Sequence, residues 1–313
     1  MNKSDNNRAG FKLVYIAGYG RSGSTILDIL FQQVSNVVSG GAINNIYQWI
    51  VDDHVCTCGS KLKDCEFWKI VLNNTGFFSD GSVVEEKWEI QKKVEELKSF
   101  GLLLFNFLPK NLVKEYRNNQ QNIFNSICSV SGKKIVIDSS KSTRDCAGRA
   151  LALSKYTNAD VKMLHLVRDG RAVAWSAMKK GGSSERSRVT NSKILNFLIV
   201  LVSWNITNIF VLLTKFALPK ESYHLIKYED LCANPADSIK KIGRFLEVDL
   251  SEMDDTVINE SELSIGHNLG GNEIRFNKQL KFKEDVDWKQ NMPLIYRWLF
   301  IVLSWPVMKK IGY

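Results

Sequence analysis

The stretch that decides the fold is "IAGYGRSGSTILDILF", residues 16–31. Gly18, four further residues, Gly23, and then Ser24 and Thr25 before an apolar helical pattern follow the outline of a Walker A phosphate loop. Glycines permit the tight turn, and the helix that follows directs unpaired N–H groups at an anion. Ser24 stands where a nucleotide triphosphatase has its lysine, so the loop suits a single terminal phosphate better than a triphosphate with Mg²⁺.

The composition narrows the classes of protein that the chain can belong to. Its 313 residues are 44% hydrophobic and 24% charged, which is enough for one full core near the upper size of a single domain. The 42 Lys and Arg against 33 Asp and Glu give a net charge of +9, which favours anionic ligands or surfaces. The basic residues are dispersed and no RNA or DNA recognition motif accompanies them, so we expect no nucleic-acid partner.

Short apolar runs alternate with helical patterns along the chain. We predict strands at residues 12–17, 134–138, 161–167 and 223–227, and helices at 25–34, 144–155, 171–180 and 235–246. Residues 84–97 are interpreted as a packing helix. Strands separated by helices form a parallel sheet covered on both faces, with ligands at the carboxyl ends of the strands. The predicted fold is therefore a three-layer α/β/α domain with a central, mainly parallel sheet and a P-loop-like phosphate-binding loop.

Two apolar segments bear on localisation. Residues 194–218 form a long apolar run with polar interruptions, which we interpret as a helix buried against the sheet rather than as a membrane span. The C-terminus "RWLFIVLSWPVMKKIGY" is basic and aromatic, so a peripheral membrane contact stays open beside core packing. The N-terminus "MNKSDNNRAG" is polar and lacks the apolar core of a signal peptide, which predicts a cytoplasmic protein.

A second phosphate motif is "MLHLVRDGRAVAWSAMKK", residues 163–180. Arg168 ends a predicted strand, and Ser176 lies about two helical turns into the next helix. A guanidinium fork and a hydroxyl can thus converge on one phosphate. Taken singly, Arg168 also reads as an ion-pair partner of Asp169 or Glu229, and Ser176 as a solvent-facing residue.

Together these motifs resemble the sulfotransferases that use 3′-phosphoadenosine 5′-phosphosulfate (PAPS), in the form found in tyrosylprotein and carbohydrate sulfotransferases. "GRSGST" is similar to their 5′-phosphosulfate loop, and "LVRDGRAVAWS" to their 3′-phosphate motif. "VIDSSKS", "IKYEDLCANP", "HNLGGNEIRF" and "DVDWKQ" match in kind and order. The resemblance spans residues 11–313 and is weakest at 59–130. It implies a single sulfotransferase domain over residues 1–313, with a flexible N-terminus (1–10), an α/β core (11–250) and a C-terminal cofactor flap and helix (251–313).

The resemblance implies PAPS as co-substrate and assigns binding residues to it. Arg168 and Ser176 would hold the 3′-phosphate, and Tyr228 would contact the adenine. Asn272 and Arg275 stand where the family closes a flap over the nucleotide. The residues implied for the 5′-phosphosulfate are Gly20, Arg21, Ser22, Gly23, Ser24 and Thr25.

The implied reaction moves a sulfuryl group to a hydroxyl, or less readily an amine, of a glycan, glycolipid or other acceptor. Charge builds on the bridging oxygen and the outer sulfuryl oxygens as adenosine 3′,5′-bisphosphate leaves. Arg21 and Lys141 are the implied catalytic residues, because with the helix N-terminus they stabilise that charge without a metal. A lysine for a triphosphate would be superfluous in such a site.

One departure from the family pattern concerns the general base. Many relatives have a Gly-Glu pair shortly after the first helix, but this chain reads "SGGAINN", with Ala42 where the glutamate is expected. Asp28, Asp138, His267 or Asp53 would have to substitute, and the segment with Asp53 and His54 can reach the acceptor side. A general base contributes about 10² to 10⁴ in rate, so its loss leaves a slow enzyme, a relocated base or an inactive relative.

The cysteine-rich stretch "DHVCTCGSKLKDCEFW", residues 53–68, is interpreted separately. His54, Cys56, Cys58 and Cys65 supply enough donors for a tetrahedral zinc ion. The C-x-C spacing differs from the usual C-x₂-C, and a cytosolic location disfavours a disulfide. We therefore expect reduced structural cysteines and no metal, with zinc as the alternative.

Two other functions stay open at this point. In a P-loop kinase or ATPase, Asp138 would bind Mg²⁺; in a non-catalytic relative, nucleotide would bind without transfer. The acceptor is not predicted, although residues 42–130 and the loop "KKGGSSERSRVTNS" are expected to set specificity.

Overall fold

The computed structural model describes residues 10–76, 81–179, 192–258, 263–264, 266–271, 273–277 and 284–313. Its strands are β1 (Phe11–Ala17), β2 (Val37–Ser39), β3 (Ile135–Asp138), β4 (Ala159–Val167) and β5 (Tyr223–Lys227). Within these residues the strands form one sheet in the order β2-β3-β1-β4-β5, and every pairing is parallel. The predicted α/β fold with a parallel sheet is confirmed.

The helices follow the strands in the predicted alternation, with a group of additional helices between β2 and β3. The bounds are α1 (Ser24–Phe31), α2 (Ile46–Val51), α3 (Glu66–Asn74), α4 (Gly81–Glu95), α5 (Phe100–Leu104), α6 (Lys110–Ser131), α7 (Arg149–Tyr156), α8 (Gly170–Lys179), α9 (Lys193–Ala217), α10 (Tyr228–Ala233), α11 (Pro235–Leu246), α12 (Ser251–Ile258), α13 (Trp288–Asn291) and α14 (Leu294–Lys310).

The central strand β1 packs against helices on both faces, as its alternating side chains require. Leu13 and Tyr15 belong to one core, which they share with residues of α2 through α7. Val14 and Ile16 point to the other face and pack with residues of α1, α11 and α12. The chain therefore has the three predicted layers, with helices on either side of the sheet.

The strand order brings the predicted motifs to one edge of the sheet. Because the strands are parallel, their carboxyl ends share that edge. The phosphate loop follows β1, Lys141 follows β3, Arg168 follows β4 and Tyr228 follows β5. Segments up to about 200 residues apart in sequence are thus neighbours in space.

Two of the predicted helices differ in detail from the helices in the structure. The helix predicted at 144–155 is a short 3₁₀ turn, Arg144–Cys146, followed by α7. Gly148 lies between them as the N-cap of α7, where a Cβ would lie 2.7 Å from Leu103 Cδ2. The apolar run at 194–218 is helical up to Ala217, but only 44% of its most apolar 18-residue window is buried, so its prediction as a buried helix holds for one side only. Among the described residues, α9 is the one helix long and apolar enough to cross a membrane.

A buried ion network that the sequence did not indicate lies beneath the sheet edge. The Arg149 guanidinium donates to Glu95 Oε1 at 2.5 Å and to Asp138 Oδ2 at 2.8 Å, and all three side chains are fully buried. Tyr116 donates to the same Glu95 oxygen at 2.7 Å. Burial raises the pKa of Glu95 to about 7, against the opposing effect of Arg149. Asp138 ends β3, so the network anchors the strand end that leads to Lys141.

We expect Arg149→Met to lower the free energy of unfolding by about 3–5 kcal/mol, because two buried carboxylates would lose their cation. Urea denaturation measures this change, with Arg144→Met, at an exposed arginine nearby, as the control. A loss below about 1 kcal/mol would show that the network contributes no more than a surface pair.

Candidate active site

The phosphate loop is shaped by two glycines that no other residue replaces easily. Gly18 has φ of 122°, and a Cβ there would lie 2.2 Å from the Leu166 carbonyl oxygen of β4. Gly23 has φ of 92° and caps α1; its Cβ would lie 2.5 Å from Tyr228 Cδ2. The loop from Gly20 to Thr25 is therefore held between the ends of β4 and β5.

The loop after β3 is hydrogen-bonded to the phosphate loop. The Lys141 N–H donates to the Ile16 carbonyl at 3.1 Å, and the Ser142 N–H donates to the Gly18 carbonyl at 3.1 Å. The Tyr15 hydroxyl donates to the Lys141 carbonyl. These bonds place the two predicted catalytic residues, Arg21 and Lys141, on adjoining loops.

Both predicted catalytic residues have left-handed backbone conformations. Arg21 has φ of 65° and Lys141 has φ of 68°, and only three other non-glycine residues in the described chain have positive φ. Such strain concentrates at functional sites. Burial lowers the pKa of Lys141, although Cys146 and Asp28 oppose the shift. Burial also lowers the pKa of Arg21. Each cation has therefore lost part of its hydration, which favours an anionic partner.

The predicted 3′-phosphate residues meet the phosphate loop. Arg21 Nη1 lies 3.2 Å from Ser176 Oγ, and Arg168 Nη1 donates to the Arg21 carbonyl at 3.3 Å. The Arg168 guanidinium lies 4.9 Å from the centre of the Tyr228 ring. Four of the predicted binding residues thus form one contact group, which we call the arginine group: Arg21, Arg168, Ser176 and Tyr228.

Arg168 does not pair with the acids that the sequence suggested. Asp169 pairs with Arg171 at 2.6 Å. The carboxylate near Arg168 is Asp285, whose Oδ2 lies 3.7 Å from Nη2 and whose carbonyl accepts from Nη2 at 3.3 Å. The sequence motif "DVDWKQ" contains Asp285, but nothing local pointed to this contact.

The arginine group and the loop fit a phosphorylated ligand. The Arg168 guanidinium contacts the Arg21 backbone, the Arg21 guanidinium contacts Ser176, and α1 begins at Ser24 in the same loop. Ser22 Oγ is buried and has no hydrogen-bond partner among the described residues. A phosphate or sulfuryl oxygen would satisfy that hydroxyl and balance the charge of the arginines.

The C-terminal segment reaches the phosphate loop, but Arg275 does not join the arginine group. A Cβ on Gly271 would lie 3.1 Å from Thr25 Oγ1, so the segment packs on the first turn of α1. Arg275 Nη2 instead lies 3.2 Å from His54 Nε2 and 3.5 Å from the Val55 carbonyl. Asn272 lies outside the described residues. A nucleotide-binding role for both therefore stays a prediction.

The C-terminal segment also covers the place where relatives carry a glutamate. Ala42 is buried, and its N–H donates to the Leu269 carbonyl at 2.9 Å. A Cβ on Gly41 would lie 1.9 Å from that same carbonyl oxygen. A Cβ on Gly270 would lie 3.4 Å from the Ala42 Cβ, so the C-terminal segment also passes next to this side chain.

Three of the four alternative bases are engaged elsewhere. Asp138 is paired with Arg149. His267 Nδ1 lies 3.2 Å from Cys65 Sγ. Asp53 lies 3.6 Å from Lys61 at the surface.

Asp28 is the alternative base on the phosphate helix itself. It is 2% exposed, and Ser139 donates to its Oδ2 at 2.5 Å, while Ser39 donates to its Oδ1. Burial raises the pKa of Asp28, although these hydroxyls and Lys141 lower it. Its carboxylate therefore links the ends of β2 and β3 beneath the loop.

The sequence matches the profile of the sulfotransferase domain over residues 12–296. The chain belongs to the sulfotransferase family. Among solved structures, the sulfotransferase is similar to the sulfotransferase domain from the curacin biosynthetic pathway, with a TM-score of 0.54 and 15% identity over 96% of this chain and 98% of that chain. It is also similar to mouse sulfotransferase SULT7A1 complexed with PAP, with a TM-score of 0.53 and 13% identity over 95% of this chain and 84% of that chain. No curated protein sequence matches it.

Family membership confirms the predicted resemblance, a PAPS-dependent sulfotransferase activity and PAPS as the co-substrate. It argues against the kinase or ATPase alternative, in agreement with Ser24 at the Walker lysine position. The family indicates no metal requirement for the transfer. The roles of individual residues in this sulfotransferase stay predictions that the contacts above make specific.

We expect Arg168→Ala to weaken binding of adenosine 3′,5′-bisphosphate about 10- to 100-fold, because charged hydrogen bonds contribute about 1.5–3 kcal/mol each. Calorimetric titration measures this, with Arg244→Ala, at an exposed arginine on α11, as the control. Unchanged affinity in the Arg168 variant would remove the 3′-phosphate assignment.

We expect Lys141→Met to lower kcat about 10²- to 10³-fold while the affinity for adenosine 3′,5′-bisphosphate changes little, because its cation is predicted to face the transferring sulfuryl group. Release of labelled bisphosphate during turnover measures kcat. A variant with the wild-type kcat would exclude Lys141 from catalysis, and parallel losses of kcat and affinity would reassign it to binding.

Proposed function

We propose that this sulfotransferase transfers the sulfuryl group of PAPS to a hydroxyl of a glycolipid at an anionic membrane surface. The observation that carries this proposal is an exposed apolar face on two neighbouring helices, α9 and α14. In the transfer, the acceptor oxygen forms a bond to sulfur, the bond from sulfur to the bridging phosphate oxygen breaks, and the hydroxyl loses its proton.

Helix α9 has one buried side and one exposed apolar side. Trp204 and Asn208 are buried among the residues that face the sheet and α8. The exposed side carries large apolar residues at intervals of three or four, which is the spacing of one helical stripe. These residues are Ile194, Leu198, Val202, Ile206, Ile209, Leu213 and Phe216.

Helix α14 lies beside α9 and exposes a second apolar stripe. Asn205 Nδ2 donates to Ser304 Oγ at 2.8 Å, and the rings of Phe197 and Tyr296 lie 4.8 Å apart. The contact nearer the start of α9 is also the contact nearer the start of α14, so the two helices run parallel. The exposed residues of α14 are Leu294, Ile295, Trp298, Leu299, Val302, Leu303 and Trp305.

The charge at the helix ends favours lipid over a protein partner. Lys215 lies in the last turn of α9, and Lys309 and Lys310 lie in the last turn of α14, so all three are at the same end of the pair. Apolar stripes with tryptophans and flanking lysines are typical of helices that lie in a membrane interface. The net charge of +9 suits the anionic cytoplasmic leaflet.

The two helices that carry the apolar face pack with their buried sides against the nucleotide-binding elements. Trp204 Nε1 of α9 donates to the Arg168 carbonyl at 3.3 Å. A Cβ on Gly170, at the start of α8, would lie 2.2 Å from the Phe300 ring of α14. Docking of this face on a bilayer would therefore bring the arginine group close to the lipid surface, where a glycolipid presents its hydroxyls.

The test combines vesicle flotation with sulfuryl transfer from ³⁵S-labelled PAPS. We expect the protein to float with vesicles that contain anionic phospholipid, and to label glycolipids in those vesicles faster than the same glycans free in solution. The double variant Trp298→Ser, Val302→Ser should reduce flotation at least about tenfold through lost apolar burial. Its affinity for adenosine 3′,5′-bisphosphate should not change.

Ile70→Ser provides the matched control, because Ile70 is an exposed apolar residue on α3 and lies outside the apolar face. Flotation that is unaffected by the double variant, or faster labelling of free glycans than of glycolipids, would contradict the proposal.

A further inference from the structure

Four metal-ligating side chains converge beside the C-terminal segment. They are Cys56, Cys58, Cys65 and His267, and their ligand atoms all lie within 4.8 Å of one another. Cys65 Sγ lies 3.2 Å from His267 Nδ1 and 3.7 Å from Cys58 Sγ, and Cys56 Sγ lies 3.9 Å from His267 Nδ1. Cys65 and His267 are 202 residues apart in sequence.

These separations are those of ligands around one zinc ion. Zn–S bonds of about 2.3 Å and Zn–N bonds of about 2.0 Å at tetrahedral angles place two sulfurs about 3.8 Å apart, and a sulfur and a nitrogen about 3.5 Å apart. All of these cysteines are free thiols. We propose that Cys56, Cys58, Cys65 and His267 bind one structural Zn²⁺ that fastens the C-terminal segment to the cysteine loop.

The backbone around the cysteines supports such a site. Gly59 has φ of 88°, and its N–H donates to the Cys56 carbonyl at 2.9 Å, which forms a tight turn around Cys58. The Cys56 N–H donates to the Ser60 carbonyl at 2.9 Å. Cys65 stands immediately before α3, and the N-terminus of a helix stabilises a thiolate. The loop therefore presents three sulfurs without any help from the fourth ligand.

His267 is held in place from both sides. Its ring stacks on Phe67 with centres 5.4 Å apart, and its carbonyl accepts from Trp68 Nε1 at 2.7 Å. The next residue, Asn268, donates its N–H to Thr57 Oγ1 at 2.8 Å. Such contacts fix the orientation of the imidazole toward the thiols, as outer contacts do at known metal sites.

The proposed site is closed, so it is structural rather than catalytic. Four protein ligands leave no position for water or substrate. Three thiolates and Zn²⁺ carry a net charge of −1, and the guanidinium of Arg275 lies next to the loop, 3.5 Å from the Val55 carbonyl. The segment that the zinc would fasten continues to Leu269, which pairs with Gly41, and to Gly271, which packs on Thr25.

This site replaces both expectations drawn from the sequence. The sequence favoured reduced cysteines, and it offered His54 as the fourth zinc ligand. In the structure His54 stacks on Trp49 with ring centres 5.1 Å apart, and its Nε2 lies 3.2 Å from Arg275 Nη2. The choice between His54 and His267 therefore separates this proposal from a sequence-based one.

Metal analysis of protein purified under reducing conditions, without chelator and with zinc in the growth medium, tests the proposal. We expect one zinc per chain in the wild type, in His54→Ala and in Cys128→Ser, and loss of at least about nine-tenths of the metal in His267→Ala and Cys65→Ser. Full zinc retention in His267→Ala would overturn the assignment of the fourth ligand.

If either ligand variant fails to fold, metal exchange of the wild type with Co²⁺ decides. Visible absorption of tetrahedral cobalt with cysteine thiolate charge transfer supports the site. The proposed site is overturned if the Co²⁺-treated protein lacks this absorption and the wild-type protein carries less than about 0.1 zinc per chain.

Discussion

Two backbone hydrogen bonds join the two loops that carry the predicted catalytic residues Arg21 and Lys141. Lys141 and Ser142 donate to the carbonyls of Ile16 and Gly18, so the loop after β3 cannot move without the phosphate loop. The buried pair of Arg149 and Asp138 anchors the same loop from below. Every charged group proposed to face the sulfuryl group depends on this connection, because it sets the relative position of two loops that belong to different strands.

Much of the site could be predicted because a parallel sheet brings the motifs that follow its different strands to one edge. A strand followed by a glycine loop, or by an arginine and a helix, can be recognised from a short stretch of sequence. Since all such strand ends lie at one edge, the convergence of Arg21, Arg168 and Ser176 followed from the alternation of strands and helices. The family resemblance then supplied the nature of the ligand.

The remainder could not be predicted because it depends on contacts between distant segments. The ion network of Arg149 joins residues from three elements with no shared motif. The contact of Arg275 with His54, and the approach of His267 to the cysteines, depend on the path of a C-terminal segment that carries no strong periodicity. For the same reason the sequence showed that Ala42 lacks a carboxylate, but not that its backbone N–H donates to Leu269 of the C-terminal segment.

The left-handed conformations of Arg21 and Lys141 place the predicted catalytic charges in competition with stability. Glycine would adopt these angles without strain, whereas a side chain there costs about 1–3 kcal/mol. Substitution to glycine would therefore relieve backbone strain at the positions where the reaction is predicted to need a cation. An arginine and a lysine at two strained positions thus fit the trade-off between stability and activity that functional sites show.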